Sequence, residues 1–172
     1  KYYIYNMNNQ NKVFWDNYYK TTNHDILKPS SFSNFVYKTY IKKYNDDNVY
    51  LKIADLGCGN CRDTQFFSSK KNLCYGIDIN GVLDKEDINC KLIKKDVLDV
   101  LKNYELCMLF DVIYMRWFLH ALPYNISNDI FINSIYNLKP GGLITIELRS
   151  INDNELKQKS VYDETDKSFT NK

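Results

Sequence analysis

Residues 53–63 read Ile53-Ala54-Asp55-Leu56-Gly57-Cys58-Gly59-Asn60-Cys61-Arg62-Asp63. An apolar run closes on an acid, a Gly-x-Gly turn follows, and polar residues lead to the aromatic pair Phe66-Phe67. Residues 49–56 have the texture of a buried strand, and residues 63–71 suit a helix with both phenylalanines turned inward. Gly57 and Gly59 remove side chains where the backbone must turn and let a ligand approach closely. Strand, glycine turn and helix in that order open a parallel α/β sheet, whose ligands sit at the carboxyl ends of the strands.

Outward from this unit the alternation continues. Residues 73–79, 91–95, 108–114 and 143–148 read as four further strands. Residues 97–104 and 128–138 read as helices between them, and Pro140-Gly141-Gly142 as a turn. The stretch 79–90 is too short for a full crossover helix and reads as a loop. The expected fold class is therefore α/β, with a mostly parallel sheet, right-handed crossovers and helices on both faces. Upstream, residues 12–20 look helical, and Phe32, Phe35, Val36, Tyr40 and Ile41 recur at helical spacing. Ser30 or Ser31, after Pro29, is the expected helix start. Three regions follow: an aromatic, helical lid segment over 1–45, a ligand-binding core over 46–150, and a polar tail over 151–172, read as mobile at its end.

Composition narrows the class of partner. The net charge of the 172-residue chain is +2, so it lacks the basic field that drives nonspecific nucleic-acid binding. Cysteines stand at 58, 61, 74, 90 and 107, and Cys58-Gly59-Asn60-Cys61 is formally a C-x-x-C. No second such pair follows, and the histidines are His24 and His120, which argues against a metal site. The odd count and apolar surroundings suit reduced thiols. With no apolar run long enough to span a bilayer and no signal peptide in view, a cytoplasmic protein is expected.

Two ligands fit a glycine turn with an acid beyond it. Asp78 closes the second strand about twenty residues on, where a carboxylate can accept both hydroxyls of a ribose. A dinucleotide turn reads G-x-G-x-x-G and seats a pyrophosphate on the next helix, but here Arg62 takes the third glycine's place. An S-adenosylmethionine turn reads acid-x-Gly-x-Gly-x-Gly and matches Asp55 through Cys61, save for Cys61 itself. With a helical backbone at 61, a small side chain would be tolerated, leaving Cys61 without a catalytic role.

The whole pattern resembles the class I S-adenosylmethionine-dependent methyltransferases, with their Rossmann-like sheet. "IADLGCGNCRDT" resembles the first motif of that family, "YGIDI" its ribose acid and "KKDV" its adenine-side segment. "LFDVIYMRWFLHAL" resembles the fourth-strand motif, and "LKPGGLITIEL" the turn and fifth strand. These cover about residues 49–150 in the family's order. The likeness looks nearest to enzymes with "GCGNGRD" after an "FWDNYY…PSSF" segment, several of which accompany polysaccharide or small-metabolite pathways.

The resemblance implies the following roles. Asp55, Gly57, Cys58 and Gly59 shape the methionyl pocket, Asp78 holds the ribose and Ile79 packs on the adenine. Asp96 and Val97 meet the adenine amino group and face, unless Asp96 is a solvated strand end. Met115 and Arg116, just past the fourth strand, line the pocket near the sulfonium. His120 is the candidate general base, its ordinary pKa lying near neutrality, or else a packing residue. Glu147 and Arg149 alternate onto one face at the end of the fifth strand, where they grip an anionic or hydroxylated acceptor or pair with each other. Trp15 and Tyr19 would fold over the site as an aromatic lid suited to a sulfonium, or pack as an ordinary helix.

The expected activity is methyl transfer from S-adenosylmethionine to a small molecule or saccharide, with the oligomeric state open. RNA or protein methylation, a non-catalytic cofactor-binding subunit and a nucleotide-dependent oxidoreductase are the alternatives. The family usually adds an antiparallel hairpin after the fifth strand, whereas only polar residues follow Ser150. Either the sheet is abbreviated or the chain is part of a longer protein.

Overall fold

The computed structural model describes residues 28–83, 87–103 and 110–150, Asn17 and Asn152, and the backbone of 160–163 and 168–171. Ser30, extended after Pro29, caps the first helix by accepting from Ser33 N–H at 3.0 Å. Helix α1 (Ser31–Val36) continues through a π-helical turn (Tyr37–Ile41) into α2 (Lys42–Asp46). Strand β1 (Lys52–Leu56) enters the glycine turn, and α3 (Arg62–Ser68) leaves it. There follow β2 (Leu73–Ile77), β3 (Cys90–Ile93), α4 (Val97–Lys102), β4 (Phe110–Arg116), a 3-10 turn (Leu119–Ala121), α5 (Tyr124–Tyr136) and β5 (Leu138–Glu147).

The five strands pair in the order β3-β2-β1-β4-β5, every pair parallel. The order reverses between β1 and β4, which opens a crevice at the carboxyl ends of those two strands. Strand alternation sends residues to two cores. Ala54, Leu56, Ile77, Ile113 and Met115 pack against Val97, Val100 and Leu101 of α4 and Ile130 of α5. Ile53, Cys74, Val112 and Tyr114 face the other way, onto Phe67 of α3 and Val36 and Ile41 of the N-terminal helix. Helices thus cover both faces, and near-continuous apolar strands follow from that double burial.

Several boundaries differ from the sequence expectation. Strand β4 runs on to Arg116, so Met115 and Arg116 end the strand rather than follow it. Strand β5 begins at Leu138 and includes Pro140-Gly141-Gly142. Phe110 pairs with Leu138 but Val112 with Leu143, so the three residues form a bulge with Gly141 at φ 79°. Helix α5 starts at Tyr124, directly after Pro123, four residues before the expected onset. In the polar tail, β6 (Ser160–Asp163) and β7 (Ser168–Asn171) pair as an antiparallel hairpin forming its own sheet. It does not extend the five-stranded sheet; β7 lies beside the 3-10 turn that carries His120.

Candidate cofactor and acceptor site

The glycine turn is built from backbone hydrogen bonds to the neighbouring strand. Gly57 N–H donates to the Ile77 carbonyl at 2.8 Å, and Val82 N–H donates to the Gly59 carbonyl at 2.8 Å. Gly57 and Gly59 sit at φ 72° and 55°, which glycine adopts without steric cost. Asp78 Oδ2 accepts from Gly59 N–H at 3.0 Å and Oδ1 from Asn80 N–H at 2.8 Å. The carboxylate is thereby fixed beside the turn, and each oxygen retains a lone pair for a further donor. Ile79 next to it is exposed.

Cys61 corrects the sequence reading. Its backbone is left-handed, at φ 55° and ψ 19°, and the right-handed helix begins only at Arg62. The third position of the turn therefore has a glycine's conformation, and a cysteine holds it. What holds it there is packing: Cys61 is fully buried, and its sulfur lies 3.4 Å from that of Cys58. Both rest over Gly76 of β2, where a Cβ would come within 2.8 Å of Cys58 Sγ and 3.0 Å of Cys61 Sγ. Burial, then the contact with Cys61, pushes the Cys58 thiol well above its ordinary range. Both thiols are free.

Three carboxylates converge on the same turn. Asp55, on β1, is buried and accepts from Thr64 Oγ1 at 2.6 Å, tying the strand to the first turn of α3. Burial and then the charge of Asp63 raise its pKa to about 7, against the Thr64 hydrogen bond, with Asp78 adding to the rise. Asp78 is also raised, by burial, against its bonds from Asn80 and Gly59. Asp63 goes the other way. Burial works against its charge, but bonds from Ser30 N–H (2.8 Å), Ser30 Oγ (2.7 Å) and Tyr114 OH (2.8 Å), with Arg62 nearby, keep its pKa lowered. Ser33 Oγ donates as well, at 3.0 Å. This network clamps the N-terminal helix cap onto α3. Nothing local in the sequence couples Ser30 to Asp63; the only hint was a Ser-rich helix start with no acid of its own.

Asp96 caps α4, accepting from Leu98 N–H at 2.8 Å, and stands half-buried past β3. Val97 is buried in the core against α4's partners, and Met115 is fully buried on that same face. Phe118, which sequence reasoning passed over, lies on the turn: a Cβ at Gly57 would fall 2.4 Å from Phe118 Cδ2. Its only signal was its place as an aromatic inside the fourth-strand motif, two residues past Arg116.

At the carboxyl edge, Arg116 and Glu147 face each other across β4 and β5 and pair at 2.6 Å. Trp117 follows at φ 54°, its N–H bonded to the Glu147 carbonyl at 2.9 Å. The guanidinium carbons of Arg116 and Arg149 stand 3.8 and 4.3 Å from the Trp117 ring centroid. His120 is half-buried in the 3-10 turn, its pKa pushed down to about 4 by burial and then by Arg149, so it is neutral at pH 7. The structure thus gathers Asp55, Gly57, Cys58, Gly59 and Asp78 in one place, and Arg116, Glu147 and Arg149 in another. Trp15 and Tyr19 lie outside the described residues. No group of three or more metal-ligating side chains occurs among the described residues.

The sheet order, the glycine turn and the acid beyond it define a Rossmann-like fold of the class I S-adenosylmethionine-dependent methyltransferase type. Solved structures of such enzymes superpose on the chain. A methyltransferase from Archaeoglobus fulgidus matches with a TM-score of 0.56 at 15% identity, over 86% of this chain and 62% of its own. The 1,6-didemethyltoxoflavin-N1-methyltransferase of Burkholderia thailandensis, solved with bound 1,6-didemethyltoxoflavin and S-adenosylhomocysteine, gives 0.57 at 15% over 80% and 59%. A sugar N-methyltransferase from Streptoalloteichus sp. gives 0.54 at 12% over 78% and 53%. The chain spans roughly three-fifths of the length of these proteins. No family model and no curated protein matches the sequence.

Proposed function

We propose that the chain is an S-adenosylmethionine-dependent methyltransferase acting on a small-molecule or saccharide acceptor. The observation that carries this is the charge of the turn. Asp78 is fixed on the turn by the Gly59 N–H at 3.0 Å, and Asp55 is buried where β1 enters it, its pKa raised first by burial and then by the charges of Asp63 and Asp78. Such a turn repels a pyrophosphate and attracts a cation, and S-adenosylmethionine carries an ammonium and a sulfonium instead of phosphate. Asp78 then holds the ribose, Ile79 covers the adenine, and Asp96 faces its amino group. Phe118 and the turn bound the methionyl end.

When bound, S-adenosylmethionine supplies an activated methyl group for in-line displacement. The protein's own task is alignment and exclusion of water at the carboxyl edge of β4 and β5. His120, neutral at pH 7, is placed to accept a proton from the acceptor, and Arg116, Glu147 and Arg149 orient it. Among the described residues no helix is long and apolar enough to cross a membrane, and the free thiols suit a reducing, cytoplasmic setting. A labelled-methyl transfer screen over sugars, nucleotides and small acids tests the reading. Turnover of any of these, lost in Asp78→Ala, supports it; tight cofactor binding without transfer to any class would leave a cofactor-binding subunit instead.

A further inference from the structure

The glycine turn carries two thiols that methyl transfer does not use. Cys58 Sγ and Cys61 Sγ stand 3.4 Å apart, and both thiols are free. The backbone brings them together: Cys61 N–H donates to the Cys58 carbonyl at 3.0 Å, closing a four-residue turn. Such a turn keeps its end Cα atoms within about 7 Å, the span a disulfide can bridge. The sulfurs have only to approach to about 2 Å, a movement within the reach of side-chain torsions. Strand β2 leaves room for the pair. At Gly76 a Cβ would come within 2.8 Å of Cys58 Sγ and 3.0 Å of Cys61 Sγ, so a side chain there would displace both. Gly76 shares a strand face with Cys74, which lies in the core beneath α3, so the sulfurs lie on that side of the sheet. Cys58 is half-buried and Cys61 fully buried, so an oxidant meets Cys58 first.

We propose that Cys58 and Cys61 are a reversible dithiol–disulfide pair that fastens the glycine turn when the protein meets hydrogen peroxide. The Cys58 sulfur attacks the peroxide, the O–O bond breaks, and hydroxide leaves as water with the thiol proton, making a sulfenic acid. The Cys61 sulfur then attacks that of Cys58. The S–S bond forms, the S–O bond breaks, and the hydroxyl leaves as water with the Cys61 proton. The thiols together give up two protons and two electrons, and one peroxide becomes two waters. Burial first, then Cys61 and the carboxylates of Asp55 and Asp78, keep Cys58 a neutral thiol. Dithiol and disulfide are both uncharged, so these surroundings slow the first step without disfavouring the bridge. The bridge encloses Gly59 and Asn60 in a ring, and so holds in place the turn whose Gly59 N–H meets Asp78. It belongs to the turn itself, whichever cofactor the turn holds.

The test treats the full chain with excess hydrogen peroxide to constant mass, then alkylates it under denaturing conditions and digests it with trypsin. Peptide 53–62 holds both cysteines and no methionine. It is expected to lose two hydrogens and escape alkylation, and to regain two alkylated thiols when dithiothreitol comes first. By NMR, the Cys61 amide should exchange with solvent at least tenfold more slowly in the oxidised protein than in the reduced one. In Cys61→Ser, peroxide should instead add oxygen to Cys58, which then has no thiol to resolve it. Cys58→Ser should leave the buried Cys61 thiol unmodified, and serves if the first variant does not fold. Two alkylated thiols after peroxide, oxygen added to wild-type Cys58 without a bridge, or an unchanged Cys61 exchange rate would overturn the proposal. So would a bridge between Cys74 and Cys90, which face each other across β2 and β3, with peptide 53–62 left reduced.

Discussion

Cys61 Sγ lies 3.4 Å from Cys58 Sγ, and the pair rests on Gly76 in a slot that only a glycine leaves open. Cys61 therefore holds a left-handed conformation by virtue of what its side chain touches. Alanine at 61 would lose the sulfur contact and retain the steric cost of φ 55°, whereas glycine would lose the contact and escape that cost. Cys61→Gly should therefore be more stable than Cys61→Ala by about 1 kcal/mol. Urea unfolding midpoints of the two variants check this; an alanine variant equal to or better than glycine would contradict it.

Asp55 makes the stability of the free protein depend on pH with an unusual sign. Its folded pKa is raised from 3.8 to about 7, so the ionised form is disfavoured in the fold. Its contribution is present in full below the unfolded value near 4 and is lost as the pH climbs toward 7. Asp78, also raised, adds in the same direction, while Asp63, lowered, contributes stability that disappears only in strong acid. Denaturation curves from pH 4 to 7.5 should show stability falling by a few kcal/mol, each pKa unit being worth roughly 1.4 kcal/mol. Asp55→Asn should flatten most of that fall. A wild-type curve that rises across this window would contradict the assignment.

Gly57 bears both a positive φ and the ring of Phe118. Gly57→Ala should weaken S-adenosylhomocysteine binding by at least tenfold through the displaced turn. The double variant with Phe118→Ala should not recover it, because removing the ring leaves the backbone strain in place. Recovery in the double variant would show that crowding alone sets the turn. Calorimetric Kd values for the three proteins decide between them.

His120 has little charge to lose near neutrality, since its pKa is pushed down to about 4. If it accepts the acceptor's proton, kcat/KM for the acceptor at saturating S-adenosylmethionine should show no acid limb near pH 6.5 and fall only toward pH 4, a limb absent in His120→Gln. A limb at 6.5 that survives the substitution would assign the titration to another group.

The parallel sheet, its glycine turn and Asp78 were legible in the sequence because each depends on neighbours close along the chain: apolar runs, two glycines, an acid ending a strand. The left-handed state of Cys61 was not, since cysteine gives no sign of φ and Gly76 lies fifteen residues away. The clamp of Ser30 and Ser33 on Asp63 spans thirty residues or more and exists only once α1 and α3 pack on one face of the sheet. The same holds at the carboxyl edge of β4 and β5. Glu147 and Arg149 were placed on one face by strand alternation, but their meeting with Arg116 and Trp117 required the register of β4 against β5. Pro140-Gly141-Gly142 reads as a turn in isolation; the pairing of Leu138 with Phe110 turns it into a bulge.

The central claim is that the acid-lined turn takes S-adenosylmethionine and not a dinucleotide. Isothermal titration of the full chain with S-adenosylhomocysteine, NAD and NADP, repeated with Asp78→Ala, tests it most directly. The account predicts saturable binding of S-adenosylhomocysteine alone, weakened at least tenfold in Asp78→Ala. Binding of NAD or NADP without binding of S-adenosylhomocysteine would contradict it.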